Sequence, residues 1–245
     1  MARKPPRLYV PDDIPAHGIF DAPPGQAHHV AHVLRLAAGD ALTVFDGRGL
    51  EYPGVIERLN KSAVTLRVSE PSEVTRESPL RVTLAQGISS GERMDYTVQK
   101  AVELGITAIQ PLAVERSVVR LSAERAAKRL AHWQAIAVAA CEQSGRNYVP
   151  VVHPVTSFTS WIAEVPVDAL RLTLSPDASS MLRELDAPQG GVVLLVGPEG
   201  GLAPRELEVA LAASFRPLRL GPRVLRTETA ALAALAAMQA MWGDF

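Results

Sequence analysis

The most constraining feature of the sequence is an unbroken apolar run, GGVVLLVG, which spans residues 190–197. Such a run, with no polar residue at alternate positions, is typical of a parallel β-strand that is covered on both faces. It stops in the turn GPEGG (197–201), and Pro204 then stands at the favoured first position of a helix. Three glycines at the end of a buried strand allow the backbone to approach another group closely.

Strand and helix patterns alternate from Leu80 onward. The apolar segments RVTLAQGI, ITAIQPLAV, ALRLTLS, GGVVLLVG and PLRLG predict strands. Amphipathic or capped segments between them predict helices over about 92–104, over 122–144 with Ser122 as the cap, from Pro204, and from Thr227 or Glu228 to about Trp242. This alternation predicts an α/β domain with a mostly parallel sheet.

The N-terminal part has a different sequence pattern. Its segments ALTVFDG, EYPGVIERL and SAVTLRV alternate apolar and polar residues, which predicts short strands, and one short helix is expected over Gln26–Leu36. We therefore expect a small β-rich module here, folded as a compact barrel. The polar segment Pro71–Pro79 is the best linker candidate, so the predicted domains are 1–72 and 73–245.

Composition excludes several classes of protein. Lys and Arg total 25 against 26 for Asp and Glu, so bulk charge does not attract nucleic acid. No apolar stretch reaches the roughly 20 residues of a membrane span, and the N-terminus does not resemble a signal peptide. The single cysteine, Cys141, excludes an internal disulfide and fits a reducing compartment. We expect a cytoplasmic protein with no membrane partner.

The turn GPEGG predicts a ligand that carries no phosphate. Ligands of open α/β sheets bind beyond the carboxyl ends of the strands, which is where this turn lies. A phosphate-binding loop would need a lysine after its last glycine, a dinucleotide site would need differently spaced glycines, and Glu199 would repel a phosphate. A neutral or cationic ligand is expected instead.

A second Gly-Pro turn strengthens this interpretation. In LGPRVLRTETA the strand again ends at Gly221-Pro222, and an irregular loop leads into an Ala-rich helix. Two neighbouring turns of this kind can hold a flat ring such as adenine between backbone segments, or both can simply be sharp turns stabilised by glycine. The two readings stay open at this point.

These motifs together resemble a known family. GPEGG, LGPRVLRTETA, EQSGR, QKAVELG and the N-terminal HHVAHVLRLAAGD are similar to the RsmE-type 16S ribosomal RNA methyltransferases of the SPOUT superfamily. The resemblance implies a PUA-like RNA-binding β-barrel followed by a SPOUT-type α/β domain threaded as a trefoil knot, and a homodimer. It also implies S-adenosylmethionine as cofactor and, as the reaction, methylation of N3 of one uridine near the 3′ end of 16S rRNA. The RNA partner would be free rRNA or the small ribosomal subunit.

The resemblance also implies roles for individual residues. Methyl transfer to a uracil N3 requires removal of a weakly acidic proton, so Arg226 and Glu228 are predicted to orient the uracil and handle its charge, with Arg7 reaching in from the barrel domain. A local ion pair that caps the helix is the alternative for Arg226 and Glu228. The residues implied as cofactor-binding are Leu174, Gly197, Pro198, Glu199, Gly200, Gly201, Leu220, Gly221, Val224, Leu225 and Arg226. The candidate RNA contacts are Arg7, His28, His29, Arg35, Lys100 and Arg146, with Arg116 and Arg120 as further possibilities.

Other functions remain as alternatives. A SPOUT enzyme that acts on another RNA position or on ribose is one, and a non-catalytic RNA-binding factor in ribosome assembly is another. GISSG satisfies the nucleophile motif of a serine hydrolase, but the late histidine that such an enzyme needs is missing. Cys141 is expected to be packed in the core, and no metal site is expected because the N-terminal histidines lack further ligands.

Overall fold

A computed structural model describes residues 5–117 and 122–245, and the chain divides into two units. The first unit comprises Met1–Glu77 and Cys141–Val149, and the second comprises Ser78–Ala140 and Pro150–Phe245. The sequence analysis placed the division after residue 72, with residues 141–149 in the second domain. The end of one long helix and the EQSGR motif therefore belong to the first unit.

The first unit is built on a six-stranded sheet, as its alternating segments predicted. Its strands follow the order β1-β3-β4-β5-β2, with β6 paired to β4, and all pairs are antiparallel except β1 with β3. Side chains of one face, including Leu8, Val44 and Leu66, are fully buried in its core. The strands are β1 (Arg7–Tyr9), β2 (Gly18–Asp21), β3 (Ala41–Phe45), β4 (Leu50–Leu59), β5 (Val64–Val68) and β6 (Ser72–Glu73).

The predicted helix over Gln26–Leu36 is present but shorter and irregular. It begins as α1 (Gln26–His28) and continues as a π-helical turn over His29–Val33. The chain then leaves the helix at Arg35, whose φ of 57° lies in the left-handed region and cannot continue a right-handed helix.

The second unit is an α/β domain whose sheet is entirely parallel among the described strands. Its strands follow the order β10-β8-β7-β12-β11-β13, and β9 pairs with β8. They are β7 (Val82–Gly87), β8 (Ala108–Ala113), β9 (Val151–Val152), β10 (Thr156–Ser157), β11 (Leu170–Leu174), β12 (Val192–Val196) and β13 (Arg216–Leu218). The helices are α2 (Glu92–Glu103), α3 (Ala123–Ser144), α4 (Phe158–Ile162), α5 (Pro204–Ala212) and α6 (Thr227–Trp242), with a 3-10 turn at Leu182–Glu184.

Most helix boundaries match those expected from capping residues. Ser122 accepts a hydrogen bond from the Arg125 backbone N–H at 3.4 Å, and Gly145 ends α3 with a φ of 87°. Pro204 is the first residue of α5, as predicted. None of the helices in the described ranges is both long and apolar enough to cross a membrane.

The apolar run predicted to be a covered strand is β12, which lies between β7 and β11 with all five residues buried. Because neighbouring strands are parallel, the ends of β11, β12 and β13 lie at the same edge of the sheet. In this register Leu174 faces Leu218, the last residue of β13. The two Gly-Pro turns therefore leave the sheet on the same side. The trefoil knot implied by the resemblance stays a prediction.

A buried amide fixes the last helix against the rest of this unit. Gln239 of α6 is fully buried; its Oε1 accepts a hydrogen bond from the Ser78 hydroxyl at 2.6 Å, and its Nε2 donates one to the Leu104 carbonyl at 2.9 Å. Gly243 lies so close that a Cβ there would overlap the Gln239 side chain. The amide therefore ties α6 to both the end of α2 and the segment before β7.

We expect Gln239→Met, which keeps the length of the side chain, to lower the free energy of unfolding. It removes the acceptor of the Ser78 hydroxyl proton and the donor to the Leu104 carbonyl, and a polar group that loses its partner away from water costs up to about 1–3 kcal/mol. Urea denaturation followed by tryptophan fluorescence measures the loss. The matched control is Gln99→Met on the exposed face of α2, and an equal effect of both variants would contradict the argument.

Candidate active site

One cavity of about 600 Å³ lies at the carboxyl ends of β11, β12 and β13. The turn after β12 and the loop between β13 and α6 both line it, so the two predicted bends converge. Its lining includes every residue that the resemblance implied as cofactor-binding: Leu174, Gly197, Pro198, Glu199, Gly200, Gly201, Leu220, Gly221, Val224, Leu225 and Arg226. Placement in one cavity is observed, whereas the role of each residue in binding stays a prediction.

Glycine is needed around the cavity for two different reasons: lack of space for a side chain, and a backbone conformation that other residues rarely adopt. A Cβ at Gly197 would lie 2.7 Å from the carbonyl carbon of Gly201, so the turn folds back on itself too tightly for a side chain. Gly201 and Gly221 instead adopt φ values of 69° and 105°, which L-residues rarely adopt. Gly87, at the end of β7, admits Pro198, whose Cδ would be 2.6 Å from a Cβ at that position.

A buried hydrogen-bond cluster anchors the turn to α6. The Thr227 hydroxyl donates to the Gly197 carbonyl at 2.6 Å, and the fully buried Gln86 Nε2 lies 3.0 Å from the Thr227 Oγ1 and 3.3 Å from the same carbonyl. The two loops that line the cavity are thus connected directly. Gln86 was not among the predicted site residues, although a polar residue inside the apolar strand segment RVTLAQGI indicates a buried hydrogen bond.

Glu199 does not face the cavity as a free carboxylate. Its Oε1 accepts hydrogen bonds from the Ser90 backbone N–H at 2.9 Å, the Ser90 hydroxyl at 2.6 Å and the Arg93 guanidinium at 2.8 Å. Burial raises the pKa of Glu199, but these hydrogen bonds outweigh it and lower the pKa to about 2. The sequence predicted a neutral or cationic ligand beside this carboxylate; in the structure Arg93 partly balances its negative charge.

Both basic and acidic side chains line the cavity. Arg116, which the sequence analysis considered for RNA binding, donates from Nη1 to the Gly200 carbonyl at 3.0 Å and so supports the turn. Sequence reasoning did not identify several charged residues at the cavity, because they come from elements distant in sequence or carried no motif. These are Arg93, Asp177 and Arg219.

Arg226 and Glu228 both line the cavity but do not pair with each other. Arg226 is exposed and forms no ion pair with any residue in the described ranges. Glu228 is mostly buried, with its Oε1 3.9 Å from the Arg93 Nε. Its Oε2 is buried and has no hydrogen-bond partner among the described residues. The helix-capping ion pair considered as the alternative is therefore absent from this part of the structure.

Arg7 and Arg146 are both engaged inside the first unit. Arg7 donates from Nη1 to Glu51 at 2.9 Å, donates from Nη2 to Asn147, and lies 4.5 Å from the centre of the Phe45 ring. The buried Arg146 pairs with Glu77. Contact with a substrate would require these partners to be exchanged, so the catalytic role of Arg7 and the RNA-binding roles of both arginines stay predictions.

The remaining RNA candidates differ in exposure. His28 and Arg35 are exposed, whereas His29 is half-buried with its Nε2 3.3 Å from Glu142, and Lys100 pairs with Glu103 at 2.7 Å. Arg120 lies outside the described residues. Their RNA contacts stay predictions.

Cys141 and Ser89 have the surroundings of packed residues. Cys141 is buried, and burial raises the pKa of its thiol to about 12, far from the value of a nucleophile at neutral pH. Ser89 of the hydrolase-like motif is also buried, and its hydroxyl is 3.4 Å from the Gly87 carbonyl. Within the described ranges, no group of three or more His, Cys, Asp or Glu side chains is placed to hold a metal ion.

Comparison with known protein families agrees with this architecture. The family described as "RNA methyltransferase domain" matches residues 76–239, and the family described as "RNA methyltransferase PUA domain" matches residues 23–69. Fold and site together therefore define an RNA methyltransferase domain preceded by a PUA domain.

Comparison with individual proteins identifies the family within this class of RNA methyltransferases. A crystal structure of a ribosomal RNA small subunit methyltransferase E from Neisseria gonorrhoeae, bound to S-adenosyl methionine, is 45% identical, covers 98% of this chain and 99% of that chain, and has a TM-score of 0.94. The Bacillus subtilis protein of the same name is 36% identical, over 87% of this chain and 86% of that protein. A structure from Legionella pneumophila with bound SAM is 40% identical, covers 99% of this chain and 100% of that chain, and has a TM-score of 0.95. The chain belongs to the ribosomal RNA small subunit methyltransferase E family.

We expect the stability of the second unit to fall as the pH drops from about 4.5 to about 2. The folded state lowers the pKa of Glu199 to about 2 from 4.5, so its contribution is present above the unfolded pKa and is lost as the carboxylate becomes protonated in the folded protein. All three tryptophans (Trp133, Trp161 and Trp242) lie in this unit, so their fluorescence during urea unfolding reports its stability.

Glu199→Gln tests this assignment. The variant is expected to show a shallower fall in the free energy of unfolding across that pH window. The control is Glu208→Gln, which removes an exposed carboxylate of α5 that accepts no hydrogen bond from a described residue. A slope in Glu199→Gln as steep as in the wild type and the control would show that Glu199 does not carry the dependence.

Proposed function

We propose that this protein is an S-adenosylmethionine-dependent methyltransferase that methylates N3 of one uridine in 16S ribosomal RNA. The observation that carries the proposal is the convergence of the turn 197–201 and the loop 220–226 on one cavity. Membership of the family supports rRNA of the small subunit as substrate. The choice of uridine N3 rests on the resemblance in motifs.

The residues of the cavity fit an adenosyl group. Backbone N–H and C=O groups of two loops can read the edge of a neutral ring, and Leu174, Leu220 and Leu225 supply apolar contact. No atom lies within 4 Å of the position that a Cβ would occupy at Gly201 or at Gly221, so both turns border open space. When bound, S-adenosylmethionine supplies a methyl group activated by its sulfonium.

Arg226 and Glu228 supply the chemistry that the uracil needs. Glu228 would accept the uracil N3–H proton while N3 bonds to the methyl carbon. The bond from that carbon to sulfur breaks, and its electron pair stays on the sulfur as a neutral thioether. The exposed Arg226 guanidinium lines the same cavity and stabilises the negative charge that develops on the uracil carbonyl oxygens. The enzyme contributes further by holding the two reactants in line.

The RNA reaches this site as an unpaired or flipped nucleotide, because base pairing hides N3. We assign the first unit, with its predicted domain 1–72, to RNA binding through Arg7, His28, His29, Arg35 and Arg146. Lys100 of α2 is a further proposed RNA contact. The protein would act as a homodimer in the cytoplasm. The small exposed residues Ala233 and Ala240 of α6 support close packing of a second copy.

Mass mapping of 16S rRNA from cells that lack this protein tests the proposal. One uridine N3-methylation is expected to disappear and to return when the wild-type gene is restored. Glu228→Gln and Arg226→Ala are each expected to lower the rate of methylation by roughly 10²–10⁴-fold, as removal of a proton acceptor or charge stabiliser does. Persistence of every uridine methylation in the deleted strain would refute the substrate assignment, and full activity of a variant would remove that residue from the mechanism.

Calorimetric titration with S-adenosylmethionine tests the cavity itself. Gly221→Ala and Gly39→Ala place a Cβ at similar φ values, 105° and 92°, with no atom within 4 Å in either case. Both are expected to cost about 1 kcal/mol of stability through backbone strain. Because Gly39 lies outside the cavity lining, Gly221→Ala alone is expected to weaken binding of the cofactor. Equal affinities of the two variants would place the cofactor elsewhere.

A further inference from the structure

Arg93 stands between the two carboxylates of the cavity. It lies in the first turn of α2, after Gly91, and its guanidinium lines the cavity. On one edge its Nη1 is 2.8 Å from the Glu199 Oε1, and on another its Nε is 3.9 Å from the Glu228 Oε1. One guanidinium thus connects the glycine turn to the start of α6.

The Glu199 side of this arrangement is fixed. Glu199 accepts two further hydrogen bonds from Ser90, and the Ser90 hydroxyl is also 3.1 Å from the Arg93 Nη1. Both contacts meet the same atom, Nη1, and the planar guanidinium holds its other N–H groups at fixed angles to that atom. Glu199 and Ser90 therefore restrict where the Arg93 Nε can lie.

The Glu228 carboxylate has a charged neighbour at one oxygen only. Its Oε1 lies 3.9 Å from the Arg93 Nε, whereas its Oε2 is shielded from solvent and accepts no hydrogen bond from the described residues. Because Glu228 lines the cavity, its carboxylate keeps hydrogen-bonding capacity that no described residue uses. The separation of 3.9 Å is that of an ion pair, and contacts of this kind in unliganded sites often tighten in the substrate complex.

We propose that Arg93 is a positioning residue for methyl transfer: held by Glu199 and Ser90, it orients the Glu228 carboxylate for transfer of the substrate proton. This inference rests on the proposed function, since it assigns Glu228 as the proton acceptor. It also gives Glu199 a role through Arg93 in place of direct contact with a cationic ligand.

A double-mutant cycle with Arg93→Met and Glu228→Gln tests the proposal, with rRNA methylation measured at saturating cofactor. Arg93→Met is expected to lower kcat by roughly 10- to 100-fold, because a misplaced reacting group loses about that much. KM for RNA and the calorimetric Kd for S-adenosylmethionine are expected to stay within about twofold of the wild type. In the Glu228→Gln background the same substitution is expected to cost less than about threefold, because both changes act on one group.

Two further variants sharpen the result. Arg93→Lys keeps the positive charge, so it is expected to recover part of the activity lost in Arg93→Met. The recovery is partial because the single ammonium nitrogen cannot contact Glu199 and Glu228 through separate atoms, as the guanidinium does. Arg205→Met, at an exposed position of α5, is the matched control and is expected to keep wild-type kcat and KM.

A crystal structure of the Arg93→Met variant provides a readout that does not depend on turnover. The Glu228 carboxylate is expected to move from its wild-type position while the backbone of 197–201 stays in place. An unmoved carboxylate would overturn the inference, as would additive effects in the cycle.

A raised KM with steeper salt dependence would instead identify Arg93 as an RNA phosphate contact, and lost cofactor binding would identify it as a support of the turn; both results overturn the inference. Absence of methyl transfer by the wild type would refute the proposed function, whereas transfer with additive variants refutes the inference alone.

Discussion

The carbonyl group of Gly197 is the point on which the cavity depends. It lies beneath the turn after β12, where it accepts hydrogen bonds from the Thr227 hydroxyl and the Gln86 amide. A buried carbonyl without a partner costs about 1–3 kcal/mol, so these two side chains are required once the turn is folded. Because they come from β7 and α6, the turn cannot move independently of either element. Thr227 lies between Arg226 and Glu228 in the chain, so the same anchor also sets the position of both proposed catalytic residues.

Two carboxylates at the cavity, Glu199 and Glu228, both lie beside Arg93 but differ in the hydrogen bonds that they accept. The Oε1 atom of Glu199 accepts hydrogen bonds from Ser90 and Arg93, which explains the low pKa of this carboxyl. Glu228 receives a longer contact from the same arginine and keeps one oxygen without a partner in the described structure. Two carboxylates of the same type thus differ in their surroundings: Glu199 supports the turn, and Glu228 is the proposed proton acceptor. Because the two side chains are chemically identical, this difference arises from the residues around them.

The EQSGR motif has a packing role in the first unit. Glu142 accepts a hydrogen bond from the Tyr9 backbone N–H at 3.0 Å, Arg146 pairs with Glu77, and Asn147 donates to the Val74 carbonyl at 2.8 Å. Burial raises the pKa of Glu142, and the Tyr9 hydrogen bond and the nearby His29 oppose that rise. These contacts explain why residues 141–149 join the β-rich unit although they follow α3 in the chain.

The sequence by itself determined the local elements. Apolar periodicity located β12, Pro204 located the start of α5, and the turns GPEGG and LGPRVLRTETA located the lining of the cavity, because glycine, proline and hydrophobic spacing act on neighbouring residues. Only the tertiary structure decided that Gln86 anchors the turn, that Arg93 lies between Glu199 and Glu228, and that Arg226 is left unpaired by Glu228. The contacts of Gln86 and Arg93 join residues more than 100 positions apart, and the direction of a side chain across such a distance depends on strand order and register. Arg226 and Glu228 are neighbours in the chain, but the long-range contact with Arg93 decides where Glu228 points. A one-dimensional pattern carries no information of that kind.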